Sequence, residues 1–95
     1  MVAAVARIKV KSGQEHEFLG VIGELISAVR ANEPDTLVYE CFKSKTSENE
    51  FVMLEVYRSQ AALDAHMKTA HFAAIGAKLM PLLDARPEIE FLDRP

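Results

Sequence analysis

The stretch EFVMLEVY, Glu50 to Tyr57, is apolar on both of its alternating sides. Successive side chains of a strand point to opposite faces. Val52, Leu54 and Val56 therefore point one way, and Phe51, Met53 and Tyr57 the other. The strand expected just before it, Thr36 to Phe42, repeats the pattern, with Leu37, Tyr39 and Cys41 opposing Val38 and Phe42. The polar run Lys43 to Asn49 joins the two as a hairpin.

Outward from this hairpin the periodicity changes twice. Val2, Ala4, Ala6, Ile8 and Val10 alternate with Arg7 and Lys9, which predicts a first strand. Phe18, Val21, Ile22, Leu25, Ile26 and Val29 recur at helical spacing, and predict a helix to about Ala31. Ser12, with Glu15 three positions on, has the spacing of a capping box for that helix. Asn32, Pro34 and Asp35 make a turn. After Tyr57, Ser59 is placed to cap a second helix, and Glu88 to Leu92 form a last strand beyond Pro87. The order β-α-β-β-α-β predicts an α+β, ferredoxin-like antiparallel sheet with helices on one face. Two helices cover only one face, and an exposed antiparallel face normally alternates to polar. The uncovered apolar face therefore predicts a homodimer through the sheet, a dimeric α/β barrel with two-fold symmetry.

The remaining composition narrows the class. The 95 residues make one domain, 1–95, and 49% apolar content supplies a core. A net charge of −3 with scattered cations leaves no footprint for nucleic acid or an anionic membrane. Cys41, the single cysteine, alternates with apolar neighbours and reads as packing; no disulfide or Cys-based zinc site is possible within the chain. No apolar run has the length of a membrane span, and Arg7, Lys9 and Lys11 interrupt the N-terminal apolar stretch where a signal peptide would need continuity. The expected location is cytoplasmic.

The stretch DAHMKTAHF, Asp64 to Phe72, carries the chemistry. His66 and His71 are five residues apart, about 140° on an unbroken helix, so they share no face there. Zinc-binding helices use a spacing of four, and no third ligand is evident, so no metal is expected. Thr69 is a candidate cap for a restarted helix whose stripe is Phe72, Ile75, Leu79, Met80 and Leu83. A bend there would turn both rings toward one space, whereas an unbroken helix would keep them apart. Leu63, His66, Met67 and Ala70 share the earlier helical face, which puts His66 on the buried side. His16, between Glu15 and Glu17, reads as solvated.

The segments KSGQEHEF, EPDTLVYE, EVYRSQAALDAH and TAHF resemble the antibiotic biosynthesis monooxygenase (ABM) domain family over nearly the whole chain. The matching positions are Gly13 before the first helix, the turn Glu33-Pro34-Asp35, Glu55-Val56-Tyr57 on the third strand, then His66 and His71-Phe72. The resemblance implies a ferredoxin-like dimer with facing sheets. The activities it implies are cofactor-independent oxygenation of phenols and quinols, heme degradation, or isomerisation of a phosphorylated dicarbonyl. The heme-degrading branch has tryptophan where this chain has His66 and a ligating histidine where it has Gly76, which disfavours heme. Tyr57 in place of the family's tryptophan resembles the isomerase branch.

The expectation is therefore a monooxygenase without a cofactor, acting on a small aromatic or quinol-type substrate by histidine-assisted deprotonation. A histidine near neutrality suits the base. The catalytic candidates are His66, His71 and Tyr57, with Met67, Phe72, Ile75 and Tyr39 around the substrate. The absence of a dinucleotide fingerprint removes nicotinamide chemistry and leaves a loosely held flavin open. Two alternatives stand beside it. One is the isomerase, which needs a phosphate anchor such as Arg58, Lys68 or Lys78; the other is a dimeric small-molecule-binding domain without catalysis.

Overall fold

The structure, a computed structural model, describes residues 1–95. Strands β1 (Val2–Lys9), β2 (Thr36–Lys43), β3 (Glu50–Tyr57) and β4 (Glu88–Asp93) form one antiparallel sheet in the order β2-β3-β1-β4. Helix α1 (Glu15–Asn32) joins β1 to β2; α2 (Gln60–Met67), α3 (Ala70–Leu79) and a single turn at Met80–Leu82 join β3 to β4. This is the expected α+β, ferredoxin-like arrangement. No helix is long and apolar enough to cross a membrane.

Period two sorts the strands as expected. Ala4, Ala6 and Ile8 of β1, Phe51, Met53 and Tyr57 of β3, and Tyr39 of β2 are buried on the helix side. Against them α1 buries Phe18, Ile22, Leu25 and Val29, with Val21 and Ile26 at the margin of the same core. Each such side chain stabilises the fold by about 1.5–3 kcal/mol relative to exposure. Leu37 departs from the expected alternation. A bulge shifts the β2–β3 register between Thr36 and Val38, and Leu37 is exposed. On the other face Val38, Phe42, Leu54 and Leu92 are exposed, and no element of the chain covers them.

The start of α1 corrects the sequence reading. Ser12 lies in a turn closed by the Gln14 amide donating to the Lys11 carbonyl, with Gly13 at φ 86°. Glu15 is already helical and Gln14 is the boundary residue, its side chain making no cap. The left-handed glycine, a conformation that costs other residues, puts Ser12 too far back to cap.

The break in the second helical region is as expected. The Ser59 hydroxyl accepts from the Ala62 amide at 3.2 Å, opening α2. The Thr69 hydroxyl accepts from the Phe72 amide at 3.2 Å, opening α3, and donates to the His66 carbonyl at 2.8 Å, closing α2. One side chain thus satisfies an orphan group of each helix.

Candidate functional site: a carboxylate between two histidines beside an apolar cavity

His66 lies in the last turn of α2 and His71 in the first turn of α3, and the bend at Thr69 turns both toward Glu33, just past α1. His66 Nδ1 lies 2.8 and 3.1 Å from the two Glu33 carboxylate oxygens, and His71 Nε2 lies 2.5 Å from Oε2. The Thr36 hydroxyl donates to Glu33 Oε1 at 2.8 Å. The His66 side chain is 2% exposed, that of Glu33 10% and that of His71 19%.

Electrostatics fix the roles. Burial alone would raise the Glu33 pKa, but hydrogen bonds from His71, Thr36 and His66 outweigh it and hold the carboxyl below its ordinary value. Burial lowers the His66 pKa, and the bond to Glu33 only partly offsets this. A carboxylate accepts and does not donate, so neutral His66 carries its proton on Nδ1. Nε2 then presents its lone pair. It has no protein partner, yet no buried polar side-chain atom is left unpaired, so Nε2 remains accessible. The rings of Phe72, Tyr39 and Tyr57 surround His66 at centroid distances of 4.7, 5.1 and 5.4 Å.

His66 also lines a cavity of about 140 Å³ between the sheet and the helices. Its floor is set by register. One rung runs Tyr39–Glu55–Ala4–Phe91 across all four strands, and the next includes Met53, Ala6 and Ile89. Ala4 and Ala6 on the central strand leave the floor's middle empty of side chain. The cavity's side-chain oxygen and nitrogen come from Tyr39, Glu55 and His66 alone. Met67, Met80, Ile89 and Phe91 line it while staying half exposed, and so mark its rim.

The other expected residues are distributed unevenly. Met67, Phe72 and Tyr39 line the cavity. Ile75 does not; it packs into the hydrophobic core. His71 reaches Glu33 from outside the cavity wall. Tyr57 is wholly buried behind the wall, and its hydroxyl donates to Glu55 Oε1 at 2.5 Å. Burial raises the pKa of Tyr57, and of Tyr39 as well. Arg58, Lys68 and Lys78 lie away from the cavity; Arg58 pairs with Asp35, and Lys78 with Glu24. A phosphate in the cavity would find no cation there. Glu33 and Glu55 were not among the expected catalytic residues.

A ferredoxin-like sheet carries an acid-oriented histidine over a greasy hollow, on an α+β domain. The chain belongs to the antibiotic biosynthesis monooxygenase family, whose model matches residues 1–78. It is similar to a Bacillus subtilis (strain 168) protein named "Putative monooxygenase YcnE", 40% identical over 85 residues, covering 90% of this chain and 88% of that protein. A Caulobacter crescentus CB15 structure described as a "putative antibiotic biosynthesis monooxygenase" superposes with a TM-score of 0.95 at 40% identity, covering 99% of this chain and 89% of that one. A conserved protein from Methanosarcina mazei Go1 superposes at 0.93 with 26% identity, over 99% and 92% of the two chains.

Proposed function

We propose that this protein is a cofactor-independent monooxygenase of a small aromatic or quinol-type substrate, with His66 as the general base. The observation that carries the reading is the Glu33–His66 pair, which leaves an unpaired imidazole nitrogen at the wall of an apolar cavity.

Dioxygen reacts slowly with closed-shell neutral molecules. Transfer of a phenolic proton to His66 Nε2 makes an electron-rich anion able to reduce it. Glu33 holds the imidazole in the accepting tautomer and stabilises the imidazolium that forms, while His71 and Thr36 hold Glu33. The apolar walls leave the reactive anion few water neighbours. A hydroquinone and dioxygen then give a hydroxyquinone and water, the ring supplying every electron. A cavity of about 140 Å³ suits one ring better than a porphyrin or an isoalloxazine, which supports chemistry without a resident cofactor. The uncovered Val38, Phe42, Leu54 and Leu92 support a homodimer through the outer sheet face.

Oxygen consumption with 1,4-hydroquinone tests the function. His66→Asn, folded as the parent, is expected to lose at least about 100-fold in rate. Label from ¹⁸O₂ is expected in the product ring. Absence of uptake across hydroquinones and phenols that nevertheless bind would make the domain a binding module.

A further inference from the structure

The mechanism above uses His66 and leaves Glu55 unexplained. This carboxyl lies on the floor rung between Tyr39 and Ala4, facing an almost wholly apolar space. It forms no salt bridge; its one side-chain partner is the Tyr57 hydroxyl, which donates to Oε1. Oε2 has no partner and is not sealed off. A carboxyl in such surroundings is costly unless something satisfies it.

We propose that Glu55 is the second polar contact of the bound molecule, so that the cavity takes a single ring carrying two oxygens, one on His66 and one on Glu55. This rests on the cavity's being the substrate site. Size supports the single ring, since an engineered protein cavity of about 150 Å³ holds one benzene, against about 140 Å³ here. Charge supports the role. Burial raises the Glu55 pKa, with Glu33 adding to the rise and the Tyr57 bond opposing it, which marks the cost that a ligand bond would offset. The free Oε2 offers one hydrogen bond to an oxygen of the ligand, and a site built to bond such a group rejects a ligand lacking it. Glu55 is thus a positioning residue that selects ligands carrying a second oxygen besides the phenol.

Anaerobic calorimetric titration with phenol, 1,4-hydroquinone and 2,6-dihydroxynaphthalene tests this. The parent is expected to bind the hydroquinone about tenfold more tightly than phenol, the worth of one hydrogen bond. It is expected to bind the dihydroxynaphthalene more weakly than the hydroquinone. Glu55→Leu is expected to level the first pair. Glu55→Gln, which still hydrogen-bonds and nearly preserves shape, is expected to retain the preference and guards against a folding artefact. A purely structural Glu55 would weaken all ligands alike and leave their ratio unmoved. Persistence of the preference in Glu55→Leu, equal binding of the bicyclic probe, or no binding of any probe by the parent would overturn the proposal. Oxygen consumption separates it from the proposed function. Uptake by the parent together with a Glu55-independent preference removes only the Glu55 assignment. A Glu55-dependent preference without uptake removes only the oxygenase.

Discussion

The Thr69 hydroxyl donates to the His66 carbonyl at 2.8 Å, and this bond sits where the helical path must break for the two histidines to meet. Without the break their rings would diverge by about 140°. With it, both reach the Glu33 carboxylate.

Thr69→Ala removes the cap of α3 and the tie to α2. A stability loss of about 1 kcal/mol is expected, read as a lowered denaturation midpoint in urea, with Thr69→Ser close to the parent. Equal midpoints for parent and alanine variant would show that the hydroxyl does not hold the bend.

Glu33→Gln replaces an acceptor with a group that can also donate. The amide can donate to His66 Nδ1 and so favour the tautomer with its proton on Nε2, the wrong one for a base. Oxygen consumption is expected to fall about 100-fold or more. Imidazole ¹⁵N shifts are expected to show the proton moved from Nδ1 to Nε2. Unchanged shifts would remove Glu33 as the orienting group.

Acid is expected to destabilise the fold in two steps. His66 has a folded pKa below its ordinary 6.5, so the unfolded chain takes up its proton first and stability declines as pH falls below about 6.5. Glu33 has a folded pKa below 4.5; its stabilisation is full above that value and lost as pH falls through the folded one. Glu55 opposes them, stabilising most below 4.5 and less as pH rises through its higher folded pKa. Melting temperatures from pH 8 to 3.5 check this, in about half-unit steps that resolve shifts of the usual size. The step nearest 6.5 is expected to vanish in His66→Asn.

Leu54→Glu places a charge at the centre of the outer sheet face, where Leu54 pairs with Val5 of β1 and Glu40 of β2. The variant is expected to sediment as a folded monomer while the parent sediments as a dimer. Identical sedimentation of the two would remove that face as the interface.

Much of the fold was legible because each strand and helix announces itself by local period. EFVMLEVY showed both sheet faces, and Thr69 showed the helix break. The capping of α1 was misread because Ser12-x-x-Glu15 has the right spacing but Gly13 turns the chain between them. Glu33 was harder to find. It lies 33 residues from His66, beside Pro34 in what looks like a solvated turn, and only tertiary closure joins them. Its signal lay in the family-like Glu-Pro turn, read there as punctuation. Glu55 was closer to hand, since strict alternation from Phe51 and Met53 puts a carboxylate on the buried side. Ile75 packs in the core and not along the cavity, since helical spacing gives a stripe but not which part of it borders empty space.

The cavity and the bare apolar surface occupy opposite sides of one sheet. Two copies pressed together by that surface would hold their hollows back to back, with both sheets and the packed layer between them, roughly 10 Å thick, standing as a wall. Ligands in the two hollows would then never touch, and any influence of one on the other would have to pass through both sheets.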